Sequence, residues 1–167
     1  MANRIVQTDY APAAIGPYSQ GAFTQIALYC SGQLGIDPAT GKLADGIEEQ
    51  ATQAFKNLRA VITEAGLTMA DIVKVTIFLT DMANFDAVNK AMKTFVPAPF
   101  PARSCFAVAA LPKGGTIVLL ERYDMQSTTA KKYKLATDNA VYVSPKVDGP
   151  VLIRGAYSAV PVLFKFW

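Results

Sequence analysis

Arg103 stands just inside an otherwise apolar run, Pro99-Phe100-Pro101-Ala102-Arg103-Ser104-Cys105-Phe106-Ala107-Val108. The prolines hold the backbone extended and forbid helix, and the segment after them reads as a strand of a buried sheet. A guanidinium in such a place keeps its charge, so it must find an anion or a set of carbonyls. Its planar fork of donors suits a carboxylate held by two parallel hydrogen bonds. An internal aspartate or glutamate would make this a structural ion pair; a bound small acid would make it a site.

The chain contains no histidine. That removes the usual general base near neutral pH, the commonest metal ligand, and every Ser-His or Cys-His nucleophile system. Cys30 and Cys105 form neither a disulfide framework nor a metal motif. Chemistry here must rest on arginine, tyrosine, carboxylates, backbone groups and water, and calls for no cofactor and no metal.

The length, 167 residues with 51% hydrophobic side chains, supports one domain with a real core. No apolar run is long enough to span a membrane, and Met1-Ala2-Asn3-Arg4 precedes no signal-peptide core, so a cytoplasmic protein is expected. The net charge of +3 resides in the C-terminal part. Residues 1–115 carry nine basic and nine acidic side chains, whereas residues 116–167 carry seven basic and four acidic. A nucleic-acid binder has a denser basic face than this, and lysines such as Lys131, Lys132 and Lys134 read as solvated.

The elements that would position Arg103 emerge from periodicity. Ile5 to Thr8 reads as an opening strand, and Ala11 to Gly21 as an ordered loop punctuated by Pro and Gly. Ile26 to Gln33 reads as a strand that ends where Ser31-Gly32 breaks the apolar run. Asp37 to Lys42 is a turn. Ile47, Ala51, Ala54, Phe55, Leu58, Val61, Ile62 and Ala65 recur at helical spacing, with Glu48 and Glu49 in the first turn and Gly66 as the stop.

Ile72 to Leu79 is a β-branched strand. A second helix starts at Asn84 as N-cap and carries Phe85, Val88, Met92 and Phe95 on its buried face. The Arg103 strand and Thr116 to Leu120 complete the order. This is an α+β pattern: a mixed sheet with two helices layered on one face. The other face is left uncovered, and a partner subunit is its natural cover.

Beyond Leu120 the character changes. Glu121 to Asp138 reads as a polar linker or exposed helix. Ala140–Ser144 and Val151–Ile153 read as a hairpin across Asp148-Gly149. Val160 to Trp167 is apolar enough to need a docking groove.

Together, Ala11-Pro12-Ala13-Ala14-Ile15-Gly16-Pro17-Tyr18-Ser19-Gln20, Ser31-Gly32-Gln33, Phe100-Pro101-Ala102-Arg103-Ser104-Cys105 and Leu111-Pro112-Lys113-Gly114 resemble the RidA family of reactive-intermediate (enamine/imine) deaminases. The likeness covers residues 1 to about 115. Residues 1–120 are thus expected to form a RidA-like domain, and 121–167 a non-family extension, either genuine or the product of a fusion or a shifted reading frame.

The resemblance implies a chorismate-mutase-like α+β fold and a homotrimer with pockets at subunit interfaces, the open sheet face lying in the trimer interior. It implies hydrolysis of small 2-imino acids to 2-oxo acids and ammonium. Carried over residue by residue, Arg103 matches the arginine that clamps the substrate carboxylate, and Tyr18 a pocket tyrosine. Ser31 and Gly32 match the loop whose hydroxyl and amide hold the ligand. Asn89 matches a second-helix asparagine, and Cys105 a pocket cysteine known for backbone contacts and oxidant sensitivity.

Family deaminases also carry a glutamate, on the strand after Leu-Pro-Lys-Gly, that positions the attacking water. By register that place is Val118, fifteen residues after Arg103, and the next position on the same face is Leu120. Glu121 is the nearby acid. Period-two alternation puts it on the opposite face unless a one-residue bulge near Gly114-Gly115, or later in the strand, shifts it.

Taken singly, each residue has a plain structural role: Tyr18 packs a ring, Ser31 caps a turn, Cys105 fills core and Asn89 lies on a helix surface. The alternative function is a non-catalytic protein of the same fold that binds small carboxylates or a partner. The family's older association with ribonuclease finds poor support in the charge distribution.

Overall fold

A computed structural model describes residues 4–124, with side chains through Ile117. The linker from 125 onward, the 140–153 hairpin and the apolar C-terminal stretch expected from the sequence lie outside the described residues. A six-stranded sheet runs in the order β1-β2-β3-β6-β4-β5. Its strands are β1 (Arg4–Val6), β2 (Gly21–Phe23), β3 (Ala27–Leu34), β4 (Ile72–Leu79), β5 (Ala102–Ala107) and β6 (Ile117–Asp124). β4 and β5 are parallel and the other neighbours antiparallel, so the sheet is mixed. The helices are α1 (Ile47–Glu64) and α2 (Phe85–Phe95).

β4 shows how one sheet face is chosen. Val75, Ile77 and Leu79 are fully buried, while Lys74, Thr76 and Phe78, which alternate with them, are half-buried. The buried set joins one core with Ala51, Ala54, Phe55, Leu58, Val61 and Ile62 of α1 and with Val88, Ala91 and Met92 of α2. Gly66 stops α1 in the left-handed region (φ 83°), which a side chain would penalise. On the other side, Phe78 stacks on Phe106 of β5 with ring centres 6.1 Å apart, and Phe106 remains 52% exposed.

Three buried amides tie loops to this frame. Asn57 donates to the carbonyls of Leu34 (2.9 Å) and Ile36 (2.8 Å), fixing the end of β3 on α1. Gln50 accepts from the Thr116 backbone N–H (2.9 Å) and hydroxyl (2.7 Å) at the entry to β6. Gln20 donates to the carbonyls of Thr8, Ala11 and Pro12 and so anchors the loop before β2. Gly35 lets the chain pass α1 closely, since a Cβ there would lie 2.5 Å from the Gln50 Cα.

Four expectations need correction. The strand through Ser31-Gly32 does not end there; it continues to Leu34 with a register shift between Cys30 and Gln33. Glycine and a hydroxyl that finds its own partner tolerate a bulge where an apolar residue would not. Gly21–Phe23 forms its own strand, because Cys30, Tyr29 and Leu28 supply the pairing. Residues 121–124 extend β6 instead of starting a linker, since β3 and β4 both pair with them. Asn84 stands at the start of α2 without a side-chain cap bond. The capping is done one turn earlier, where Asp81 accepts from the Ala83 N–H.

Candidate functional site

Arg103 lies on β5, in register with Val75 of β4. Contrary to the expected strand of a buried sheet, β5 is an edge strand with none of its residues buried, and Arg103 is exposed. Partners in a parallel ladder share a face, which directs Arg103 toward the helix side. There the guanidinium lies over the Phe85 ring, 4.9 Å from its centre, and its Nη1 donates to Asn89 Oδ1. Both partners come from α2 and stand one helical turn apart, so a single helix face grips the fork. Among the described residues no carboxylate pairs with Arg103; the one ion pair is Lys90 with Glu48. Arg103 borders an open-mouthed cavity of about 390 Å³ lined by Asn89, Met92, Lys93, Phe100, Pro101 and Arg103.

Cys105 comes two residues later on the same strand, half-buried and packed against the core. Burial pushes its thiol above the ordinary value, and the nearby Arg103 charge and the Phe106 backbone oppose this only in part. The protonated thiol is therefore the form held near neutral pH, a poor nucleophile.

Tyr18, Ser31 and Gly32 lie elsewhere. Tyr18, half-exposed, accepts from the Ile15 N–H at 3.2 Å and, with Gly32 and Gln33, borders a second cavity of about 450 Å³. The Ser31 hydroxyl donates to the Ser19 carbonyl and its N–H to the Gln20 carbonyl. With its proton committed, that hydroxyl offers a ligand only an acceptor. Lys113 and Asp37 also line this cavity, and Lys113 holds a left-handed backbone (φ 58°). Neither was singled out from the sequence for a role there.

The structure thus divides the sequence-predicted residues into two groups. Arg103 and Asn89 share one cavity, and Tyr18 and Gly32 the other. β6 and β4 separate β3 from β5, so Ser31-Gly32 and Arg103 stand three strand spacings apart, about 14 Å. A small acid held by Arg103 cannot also touch Gly32 of the same copy.

Glu121 is in register with Val75 on one side and Cys30 on the other, both buried core residues. The ladder between β4 and β6 is unbroken from Ile117 to Arg122, and Leu120 takes the row of half-buried Thr76. The shift in this part of the sheet falls instead in β3, at Ser31-Gly32.

Phe85, expected on the buried face of α2, instead joins Asn89 as a partner of the Arg103 guanidinium. Their spacing of four residues on a helix was the available signal. Among the described residues no cluster of His, Cys, Asp or Glu is assembled to hold a metal, and no helix is long and apolar enough to cross a membrane.

A family model described as Endoribonuclease L-PSP matches residues 8–119. The chain belongs to the RidA/YjgF/L-PSP family. It is 46% identical over 118 residues to the 2-iminobutanoate/2-iminopropanoate deaminase of Capra hircus, covering 70% of this chain and 86% of that protein. The deaminase of the same name from Salmonella typhimurium is 44% identical over 114 residues, with 66% and 89% covered. Among solved structures, RidA from the Antarctic bacterium Psychrobacter sp. PAMC 21119 superposes with a TM-score of 0.71 at 41% identity, covering 72% of this chain and 98% of that one. E. coli TdcF with bound serine gives 0.70 at 36% identity and the same coverage. The C-terminal part of the chain is left unaligned by these comparisons.

Proposed function

We propose that this chain hydrolyses small 2-imino acids to 2-oxo acids and ammonium, as a cytoplasmic homotrimer whose open sheet faces line the interior. Water adds through its oxygen to the imine carbon, the nitrogen gains protons, and the C–N bond breaks to release ammonia as the C=O forms. An imine carbon is already electrophilic, so orientation and charge complementarity carry most of the rate. That suits a site without histidine.

The observation that carries the reading is Arg103, unpaired with any described carboxylate, steadied by Asn89 and Phe85, and facing an open cavity. The deaminase relatives support it. The substrate carboxylate takes the fork of Arg103, and the Tyr18, Ser31 and Gly32 half is contributed by another copy, because one copy holds the halves too far apart. Cys105 supports the strand beside the ligand.

Val118, at the position where the family carries its glutamate, favours a second reading, in which the chain binds small carboxylates without hydrolysing imines. Leu120 and Val118 offer a water no proton acceptor. The test couples purified protein to a threonine dehydratase and follows 2-oxobutanoate release. Acceleration that Arg103→Ala abolishes, consistent with about 2–5 kcal/mol for a desolvated charge pair, sustains the deaminase reading. Retained 2-oxobutanoate binding with no acceleration selects the second reading. Acceleration that survives in Glu121→Ala shows that this acid is dispensable.

A further inference from the structure

Gln33 is only 4% exposed and borders the cavity shared by Tyr18 and Gly32. Its Nε2 donates to the Ser31 carbonyl (3.0 Å), within the stretch where β3 shifts register. That carbonyl fixes which end of the amide is which, because Oε1 in the same place would meet another acceptor. Oε1 diverges from Nε2 at a shared carbon and accepts from no described residue. Asn57 and Gln20, equally buried, use both ends of their amides. Gln50 leaves its Nε2 without a described partner but borders neither cavity.

A buried acceptor left unanswered is costly, so one bordering a candidate site calls for a donor from the ligand. A 2-imino acid carries hydrogen on its nitrogen, whereas the 2-oxo acid product has an acceptor oxygen in that place. We infer that Gln33 Oε1 accepts a hydrogen bond from the substrate nitrogen, making Gln33 the residue that tells the imine from the product. The amide oxygen takes no proton. It steadies the N–H while water adds, and it faces a repelling oxygen once ammonia has left. The inference rests on the reading of Arg103 as holder of the substrate carboxylate, with the Gly32 half of another copy beside it. Closing the β3 register shift uses only Nε2 and would be indifferent to the ligand, which makes the two roles separable.

The test is calorimetric binding of two unreactive acids of one shape to the intact protein. Pyrrole-2-carboxylate carries an N–H beside the carbon that bears its carboxylate, and 2-furoate carries an oxygen there. The wild type is expected to bind the pyrrole about fivefold more tightly, the scale of one neutral hydrogen bond. Gln33→Met, similar in size with a poor acceptor, should bring the ratio to one while both acids still bind. Gln33→Glu, which keeps an acceptor oxygen, should keep the preference. Equal affinities in the wild type, or a preference for furoate, would overturn the inference and leave the reading of Arg103 standing. So would a preference that survives Gln33→Met, which would pass the role to Asp37, another acceptor on this cavity. Failure of the wild type to bind either acid would overturn both.

Discussion

Replacing Asn89 with alanine removes the oxygen that accepts from Arg103 Nη1 and leaves the Phe85 ring, 4.9 Å from the guanidinium, as its only described partner. A hydrogen bond to a charged group contributes about 1.5–3 kcal/mol when enclosed. Arg103 is exposed in the single copy, so about 1 kcal/mol is the appropriate scale for orientation lost. That predicts about fivefold weaker binding of 2-oxobutanoate, measured by calorimetry, with the protein still folded. Alanine is the better helix former, so thermal stability should hold or rise slightly. Phe85→Leu should weaken binding about twofold to fivefold through loss of the cation–π contact. The double variant should fall short of the summed effect, because both act through one guanidinium. Binding by Asn89→Ala that is unchanged or tighter would refute the reasoning. It would mean that Asn89 competes with the ligand for the fork instead of aiming it.

Two further predictions concern the scaffold and the thiol. Asn57→Ala strands the Leu34 and Ile36 carbonyls and should cost about 2–4 kcal/mol, read as a melting temperature lower by about 10 °C. Cys105 has a folded-state pKa above its unfolded value, so its contribution to stability is fully present below the ordinary thiol pKa. It is lost as pH rises through the raised one. Chemical denaturation from neutral to alkaline pH should show a decline that Cys105→Ser lessens, and a thiol reagent should modify Cys105 in folded protein more slowly than free cysteine.

Much of the frame was legible because it is local. The apolar spacing of α1 and its glycine stop, and the β-branched run of β4, each obey short-range rules that the core then respects. Buried Gln50 and Asn57 were not recognised, although they continue the inward stripe of Ala54 and Val61. Their meaning depends on carbonyls and a hydroxyl far away in sequence. Three-residue β2 and the extension of β6 are likewise set by partners that no local window contains.

The placement of Arg103 on a strand was legible from the prolines before it and the apolar residues around it. The division of the candidates into two cavities was not, because it is a property of strand order. The bulge considered for β6 is realised in β3, where the residues flanking Ser31-Gly32 fix the register.

On the proposed reading, deamination by this chain requires one site assembled from the Arg103 half of one copy and the Gly32 half of another. Co-expression of Arg103→Ala chains with Gly32→Glu chains, each inactive alone, tests this through deaminase activity of the purified mixture. Random assortment around a closed ring restores about a quarter of the sites, and the same fraction of wild-type activity is predicted. A mixture no more active than its two components would contradict the shared site.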